Sequence, residues 1–213
     1  MKTPVLIKMT DHLIVLAKPA GWLSIPGRGE APCLLDWVRK EHGEAMAVHR
    51  LDVDTSGVII YARTKDSHRE ASIWFEKHKV RKNYDLIAGG SLEAPVVRIN
   101  APVAGQPAVT QVECVESYEA APVFLARARP LSGKRHQIRA HLAGKGCPLL
   151  GDKTYKGKRT FKLARGPLVI TRVALHAASL SLPNGEKFEA PWPSEFAAWV
   201  EALRMEGVRG EGA

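Results

Sequence analysis

The stretch from His49 to Lys65, HRLDVDTSGVIIYARTK, sets one acid, Asp52, beside a cation, Arg50, between two apolar segments. A nearby positive charge favours the charged form of a carboxylate, which is the state a nucleophile or an electrostatic stabiliser needs. Val48 before the acid and Val58 to Tyr61 after it read as strand, and Gly57 supplies a break. Asp52 is therefore expected on a short loop fixed at both ends by a sheet. An Asp in a strand connection also serves to cap a turn through its own side chain, and this stretch taken alone leaves both readings open.

A second cluster, RPLSGKRHQIRAHL, runs from Arg129 to Leu142. On a helix, Gln137, His141 and Gly144 share one side, and Ile138 and Leu142 share another that faces the core. Arg135 and Arg139 are four residues apart, so the spacing predicts two cations projecting near each other. Such a pair grips a phosphate or partners a buried carboxylate through the planar guanidinium fork. A third piece, KNYDLIAGG from Lys82 to Gly90, places Tyr84 on a strand, as ordinary core or as an aromatic wall for a base.

Charge is distributed unevenly. Of the 31 basic and 22 acidic residues, 13 and one respectively lie between Val123 and Arg172, the lone acid being Asp152. The rest of the chain carries 18 basic and 21 acidic residues, so the whole net charge of +9 comes from this quarter. A cationic surface concentrated in this way is the footprint expected for a phosphate backbone, although a solvated basic face has the same composition. At 213 residues the chain is long enough to bury roughly 70% of its unfolded surface. No apolar run approaches the roughly 20 residues of a bilayer span. Lys8, Asp11 and Lys18 interrupt the N-terminal apolar stretches, which is unlike a secretory signal and places the protein in the cytoplasm. Cys33, Cys114 and Cys147 are odd in number and far apart, as packing residues in a reducing compartment are.

The elements that position these residues follow from periodicity and punctuation. Leu13 to Ala17 reads as a strand and KPAGWLSIPGRGEAP as an irregular segment. Leu34 to His42 reads as a helix, and Asp66 as the N-cap of a second that continues through Lys79. Lys82 to Ala88, Val109 to Tyr118 and Val123 to Arg129 read as strands. A helix is predicted over His136 to Gly144, opened by the Ser132-Gly133 break. Ala174 to Leu182 turns through Pro183-Asn184-Gly185 into Glu186 to Ala190 as a hairpin, and a last helix starts at Ser194 as its N-cap. The tail from Gly207 is small and polar and is expected to be disordered. Strands and helices mix without a βαβ rhythm, so the fold class is α+β with a largely antiparallel sheet in a single domain over residues 1–206.

Taken together, these segments resemble the RluA family of pseudouridine synthases. The family's HRLDxxTSG motif matches His49 to Gly57, KPAG matches Lys18 to Gly21, and K-x-Y matches Lys82 to Tyr84. GRTHQIRxHL is matched by GKRHQIRAHL from Gly133 to Leu142. The G-x-P…GDxxY element is matched by Gly146 to Tyr155, and the late LHA strand by Leu175 to Ala177. The resemblance implies isomerisation of uridine to pseudouridine in ribosomal or transfer RNA, with no cofactor or metal, on a mixed sheet with flanking helices and a central RNA-binding cleft. It places the catalytic carboxylate on Asp52, the aromatic contact to the base on Tyr84 and the ion partner of that carboxylate on Arg139. It assigns to Arg50 the filling of the space a flipped-out base leaves. Substrate contacts fall on His49, Thr55, Lys134, Arg135, His136 and Gln137, and RNA binding on the basic segment 123–172. A monomer without an obligatory protein partner or a membrane is implied. Lys134-Arg135 replaces the family's Arg-Thr, moving one cation and removing a hydroxyl. About a dozen residues precede the first strand, too few for the small RNA-binding domain that many relatives carry, so target selection is expected to rest on the catalytic domain.

Other readings fit less of the chain. Asp52 to Ser56 nearly spells the D-x-D-x-T of aspartyl-nucleophile phosphatases, but Ser56 stands in place of Thr and His49-Arg50 interrupts the preceding apolar strand. An RNA-binding protein without activity would keep the basic quarter and lose the acid, whereas Asp52, Tyr84 and Arg139 are all present. A zinc site on His136 and His141 lacks a third ligand and a helical spacing that aligns the two rings.

Overall fold

Ser56 to Ala62 is buried at every position, which is why its apolar run is continuous rather than alternating. The computed structural model describes residues 3–27, 30–118 and 121–208. In chain order the first elements are β1 (Val5–Met9), β2 (Leu13–Lys18), α1 (Leu34–His42), β3 (Met46–Ala47), β4 (Ser56–Ala62) and α2 (Lys65–Glu76). Next come β5 (Arg81–Gly89), β6 (Val96–Asn100), β7 (Val109–Ser117), β8 (Val123–Pro130) and α3 (Gln137–Gly144). The last are β9 (Thr160–Leu163), β10 (Gly166–Val169), β11 (Leu175–Ser181), β12 (Lys187–Glu189) and α4 (Ser194–Arg204). The chain divides into two compact units, residues 1–82 with 177–191 and residues 83–176 with 192–213, so the division falls inside β5 and inside β11.

In the first unit the strands lie in the order β1, β2, β4, β11, with β3 also on β4 and β12 on β11. Leu13, Val15, Val58, Ile60, Leu180 and Phe188 build its core, with Trp74 and Phe75 of α2 packed against it. Gly57 has φ +118°, and a Cβ there would run into the backbone of Ala177, so only glycine lets β4 start this close to β11. The expected β11 hairpin is present, closed by Leu182 N donating to Glu186 O at 2.8 Å.

In the second unit the order is β5, β8, β7, β6, antiparallel throughout. Leu86 to Ala88 of β5 and Val123 to Ala126 of β8 are buried on both faces, whereas β6 alternates buried and exposed. Leu86, Ala88 and Ala126 pack with Ile138 and Leu142 of α3, and Ile87 and Leu125 pack with Phe196, Trp199, Val200 and Leu203 of α4. One period-2 strand thus serves two helices, the arrangement of an α+β fold.

Three expected boundaries are corrected. Helix α2 begins two residues before Asp66 could cap it, because Thr64 and Ser67 form a reciprocal capping box at 3.1 Å in each direction; it ends at Glu76, and His78 is left-handed at φ 53°. Pro193, not Ser194, is the N-cap of α4. His136 lies outside α3 as its left-handed N-cap at φ 56°. Of the tail from Gly207, Val208 bridges to Tyr118, and residues 209–213 lie outside the described residues.

Candidate active site

In the first unit Asp52 is half-buried on the turn between β3 and β4, where its carbonyl accepts from Thr55 N at 3.0 Å. The neighbouring peptide is tied to the KPAG segment: Val53 O accepts from Gly21 N at 2.8 Å and from Lys18 Nζ at 2.9 Å. Lys18 is only 1% exposed, and its ammonium also donates to Pro19 O at 3.1 Å and Trp22 O at 2.7 Å. These carbonyl acceptors lie on two separate stretches, so the buried Lys18 side chain clamps two loops together. Sequence reasoning assigned Lys18 no function; a lysine inside KPAG behind a fully apolar strand is the signal that was there to find. Arg50 is exposed on the same turn. Thr55 is buried, and its hydroxyl has no hydrogen-bond partner among the described residues.

His49, expected to contact substrate, is engaged within the first unit. Its Nε2 accepts from Ile60 N at 2.9 Å, which leaves the ring proton on Nδ1, and the ring stacks on Phe75 at 4.4 Å. Desolvation, with the charge of Lys82 adding to it, pushes its pKa down to about 3. An imidazole that stays neutral at neutral pH anchors the Asp52 turn to β4 and lends no charge to a phosphate. Lys82 itself is pushed down to about 8 by desolvation.

In the second unit Tyr84 lies on β5 opposite Ala128, partly buried against the core that α3 packs on. The next residue faces the other way: Asp85 accepts from Arg127 Nε at 3.0 Å and from Trp192 Nε1 at 2.8 Å. On α3, Arg139 makes a bidentate pair with Asp152, Nε to Oδ2 at 2.6 Å and Nη2 to Oδ1 at 2.8 Å. Nη2 also donates to Thr154 Oγ1 at 3.2 Å, and the guanidinium lies 5.5 Å from the Tyr155 ring centre. Oδ1 of Asp152 accepts from the backbone N–H of Thr154 at 3.0 Å and of Tyr155 at 3.1 Å. Burial alone would raise the Asp152 carboxyl, but the bonds from Arg139 and these two amides outweigh it and hold the pKa below the usual value. The lone acid of the basic quarter is thus the one that orients Arg139. Gly151 of the same GDxxY element is left-handed at φ +75°, and a Cβ there would strike the Arg172 carbonyl.

The predicted division of α3 into a polar and an apolar side does not hold, because Gln137 and His141 are as buried as Ile138 and Leu142. Gln137, expected to touch substrate, spends all four of its hydrogen bonds internally. Its Oε1 accepts from Ser132 Oγ at 2.7 Å and Lys134 N at 3.1 Å, and its Nε2 donates to Val109 O and Thr110 Oγ1, both at 3.0 Å. The ring nitrogens of His141 sit 2.8 Å from Thr110 Oγ1 and 2.9 Å from Ala101 O. Both side chains therefore bolt α3 to β7 and its approach. Arg135 does not project beside Arg139: the left-handed His136 between them ends the helical spacing, so Arg135 is exposed while Arg139 is buried. Lys134 is half-buried, and His136 meets Tyr155 edge-on at 6.0 Å.

Ten of the 13 cations of the basic segment are exposed. Arg127, Arg129 and Lys145 pair with Asp85, Glu113 and Glu93. Among the described residues Arg135, Lys153, Lys156, Lys158, Arg159, Lys162 and Arg165 pair with no carboxylate, so their charge faces solvent. Among the described residues no three His, Cys, Asp or Glu side chains gather as metal ligands, and no helix is long and apolar enough to cross a membrane.

The architecture is that of the pseudouridylate synthases. The human RNA Pseudouridylate Synthase Domain Containing 4 structure superimposes with a TM-score of 0.73 at 23% identity over 98% of this chain and 95% of that one. The human Domain Containing 1 structure does so at 0.72 and 22%, over 94% and 87%. The family model for RNA pseudouridylate synthase matches residues 12–144. The Dual-specificity RNA pseudouridine synthase RluA of Escherichia coli K12 is 32% identical over 209 residues, 88% of this chain and 92% of its own length. The Ribosomal large subunit pseudouridine synthase D of Pasteurella multocida is 34% identical over 92% of this chain and 69% of its own. The chain belongs to the RNA pseudouridylate synthase family, and its sequence relatives include RluA-type members.

Proposed function

We propose that this chain isomerises uridine to pseudouridine in ribosomal or transfer RNA, with Asp52 as the catalytic carboxylate. In that reaction the bond from the ribose carbon to N1 breaks, a bond to C5 forms, C5 loses a proton and N1 gains one, so no oxidant or co-reactant is consumed. A glycosidic carbon that develops positive character needs a fixed anion beside it, as the carboxylates of glycoside hydrolases illustrate. The observation that carries the reading is the double anchoring of the Asp52 turn, by the Lys18 ammonium and by the neutral His49 ring, at the heart of an unbroken HRLDxxTSG.

On this reading Tyr84 supplies the aromatic contact to the base and Arg139 the cation of the reaction centre, held ready by Asp152. Arg50, exposed on the Asp52 turn, enters the space the uridine leaves, and Thr55, Lys134, Arg135 and His136 contact the nucleotide. The exposed cations of residues 123–172 hold the phosphate backbone. Residues 1–206 work as one catalytic domain, monomeric and cytoplasmic. Pseudouridine mapping in total RNA from cells with and without the protein tests the function and identifies its target. One or more sites lost with the protein support it; an unchanged map contradicts it.

A further inference from the structure

We infer that Ser24, outside every motif discussed above, is a positioning residue for Asp52, and that Tyr61 holds Ser24 in place. Ser24 is 4% exposed in the irregular segment after β2. Its hydroxyl donates to Leu51 O at 2.8 Å and accepts from Leu51 N at 3.0 Å. One side chain thus satisfies both polar backbone atoms of the residue directly before the catalytic carboxylate. Leu51 is itself buried at 7%, so no solvent replaces these bonds if the hydroxyl is removed.

Ser24 is in turn fixed from β4. Tyr61 Oη donates to Ser24 O at 2.6 Å, and Tyr61 is 0% exposed. A carbonyl can only accept, so this phenol must keep its proton, and desolvation pushes its pKa far up from the ordinary phenol range. The backbone beside Ser24 is held as well, with Leu23 N donating to Pro32 O at 2.9 Å and Leu34 N to Leu23 O at 2.8 Å. The result is a chain from a rigid central strand through Tyr61 and Ser24 to Leu51 and so to Asp52. On the far side of Asp52 the Val53 carbonyl is gripped by Gly21 and Lys18. Both residues that flank the catalytic acid, Leu51 and Val53, are therefore held through backbone atoms from the same segment. Positioning of this kind matters because an error of about 1 Å at a reacting group costs roughly 100-fold in rate.

The inference rests on the reading of Asp52 as catalytic. Its test compares wild type, Ser24→Ala, Ser24→Thr, Tyr61→Phe and Asp52→Asn on one substrate RNA, each well below its own unfolding midpoint. Ser24→Ala is expected to lower kcat about 10- to 100-fold, with KM and RNA affinity within about twofold of wild type. Ser24→Thr, which keeps the hydroxyl, restores most of kcat, and Tyr61→Phe lowers it by less than Ser24→Ala. If Ser24→Ala lowers only the unfolding midpoint and leaves kcat unchanged while Asp52→Asn is inactive, Ser24 is merely structural and the inference fails. Equal losses in Ser24→Ala and Ser24→Thr also overturn it, because the hydroxyl would then not be what matters. Turnover by Asp52→Asn sinks the underlying reading instead, and that outcome is read independently of the serine variants.

Discussion

Replacing Asp152 by Asn removes one partner of a buried bidentate pair and leaves its shape. The Asp152 side chain is wholly buried and the Arg139 side chain is 10% exposed. An amide oxygen at the Oδ1 position keeps the bonds from Thr154 N, Tyr155 N and Arg139 Nη2, but the new NH2 group meets Arg139 Nε–H donor to donor. Breaking a buried ion pair on one side costs about 3–5 kcal/mol, and the retained bonds place this variant near 3 kcal/mol. For a chain of this size that corresponds to a fall in unfolding midpoint of about 6–12 °C. Thermal and urea unfolding of the purified proteins read it. Arg139→Met is expected to restore part of the loss when combined with Asp152→Asn, so that the double variant is less unstable than the sum by about 0.5–3 kcal/mol. A single variant within about 0.5 kcal/mol of wild type would refute the reasoning.

Acid should destabilise the fold in two separable stages. The unfolded chain protonates His49 near 6.5 and the folded chain only near 3, so stability is present above that window and falls as pH drops through it, by up to about 1.4 kcal/mol per unit from this group. His49→Gln, which keeps an acceptor for Ile60 N, flattens this limb in a pH series of unfolding midpoints; an unchanged limb contradicts the assignment. The second stage comes from Asp152, whose folded pKa is lowered: its contribution is present above the unfolded carboxyl value and disappears below it, and Asp152→Asn removes it. RNA affinity should fall steeply and linearly with added salt on logarithmic axes, and Lys153→Gln with Lys156→Gln should flatten that slope by about 1–2. A flat salt response in wild type would exclude the basic segment from backbone binding.

What could be read from the chain depended on how local the cause was. Helix α1 was legible to the residue because Leu34, Leu35 and Val38 form one apolar stripe between a Pro-rich segment and Gly43. The hairpin at Pro183-Asn184-Gly185 was legible because three residues dictate its turn. Strand β1 went unread because an edge strand with Val5, Leu6 and Met9 exposed leaves no inside-outside alternation to detect. Strands β9 and β10 form a short two-stranded hairpin of the same kind, whereas β6 does alternate, with Val97 and Ile99 inside, but over only five residues. The start of α2 was misjudged because two capping residues compete locally and the reciprocal Thr64–Ser67 box wins over Asp66. In α3 the reason is of another kind: Gln137 and His141 look polar in the sequence, and the partners that let their donors and rings be buried, Val109, Thr110 and Ala101, lie far away along the chain. Asp152 was counted as the odd acid in a basic stretch because its partner Arg139 is met only through the tertiary fold.

The most direct test of the central claim is the conversion of uridine to pseudouridine in a mapped target RNA by wild type and by Asp52→Asn, alongside the RNA affinity of each. Wild type is expected to turn over repeatedly and the variant not at all, with affinities within a few fold, because one carboxylate is lost while the exposed cations are untouched. Turnover by the variant near the wild-type rate would contradict that claim.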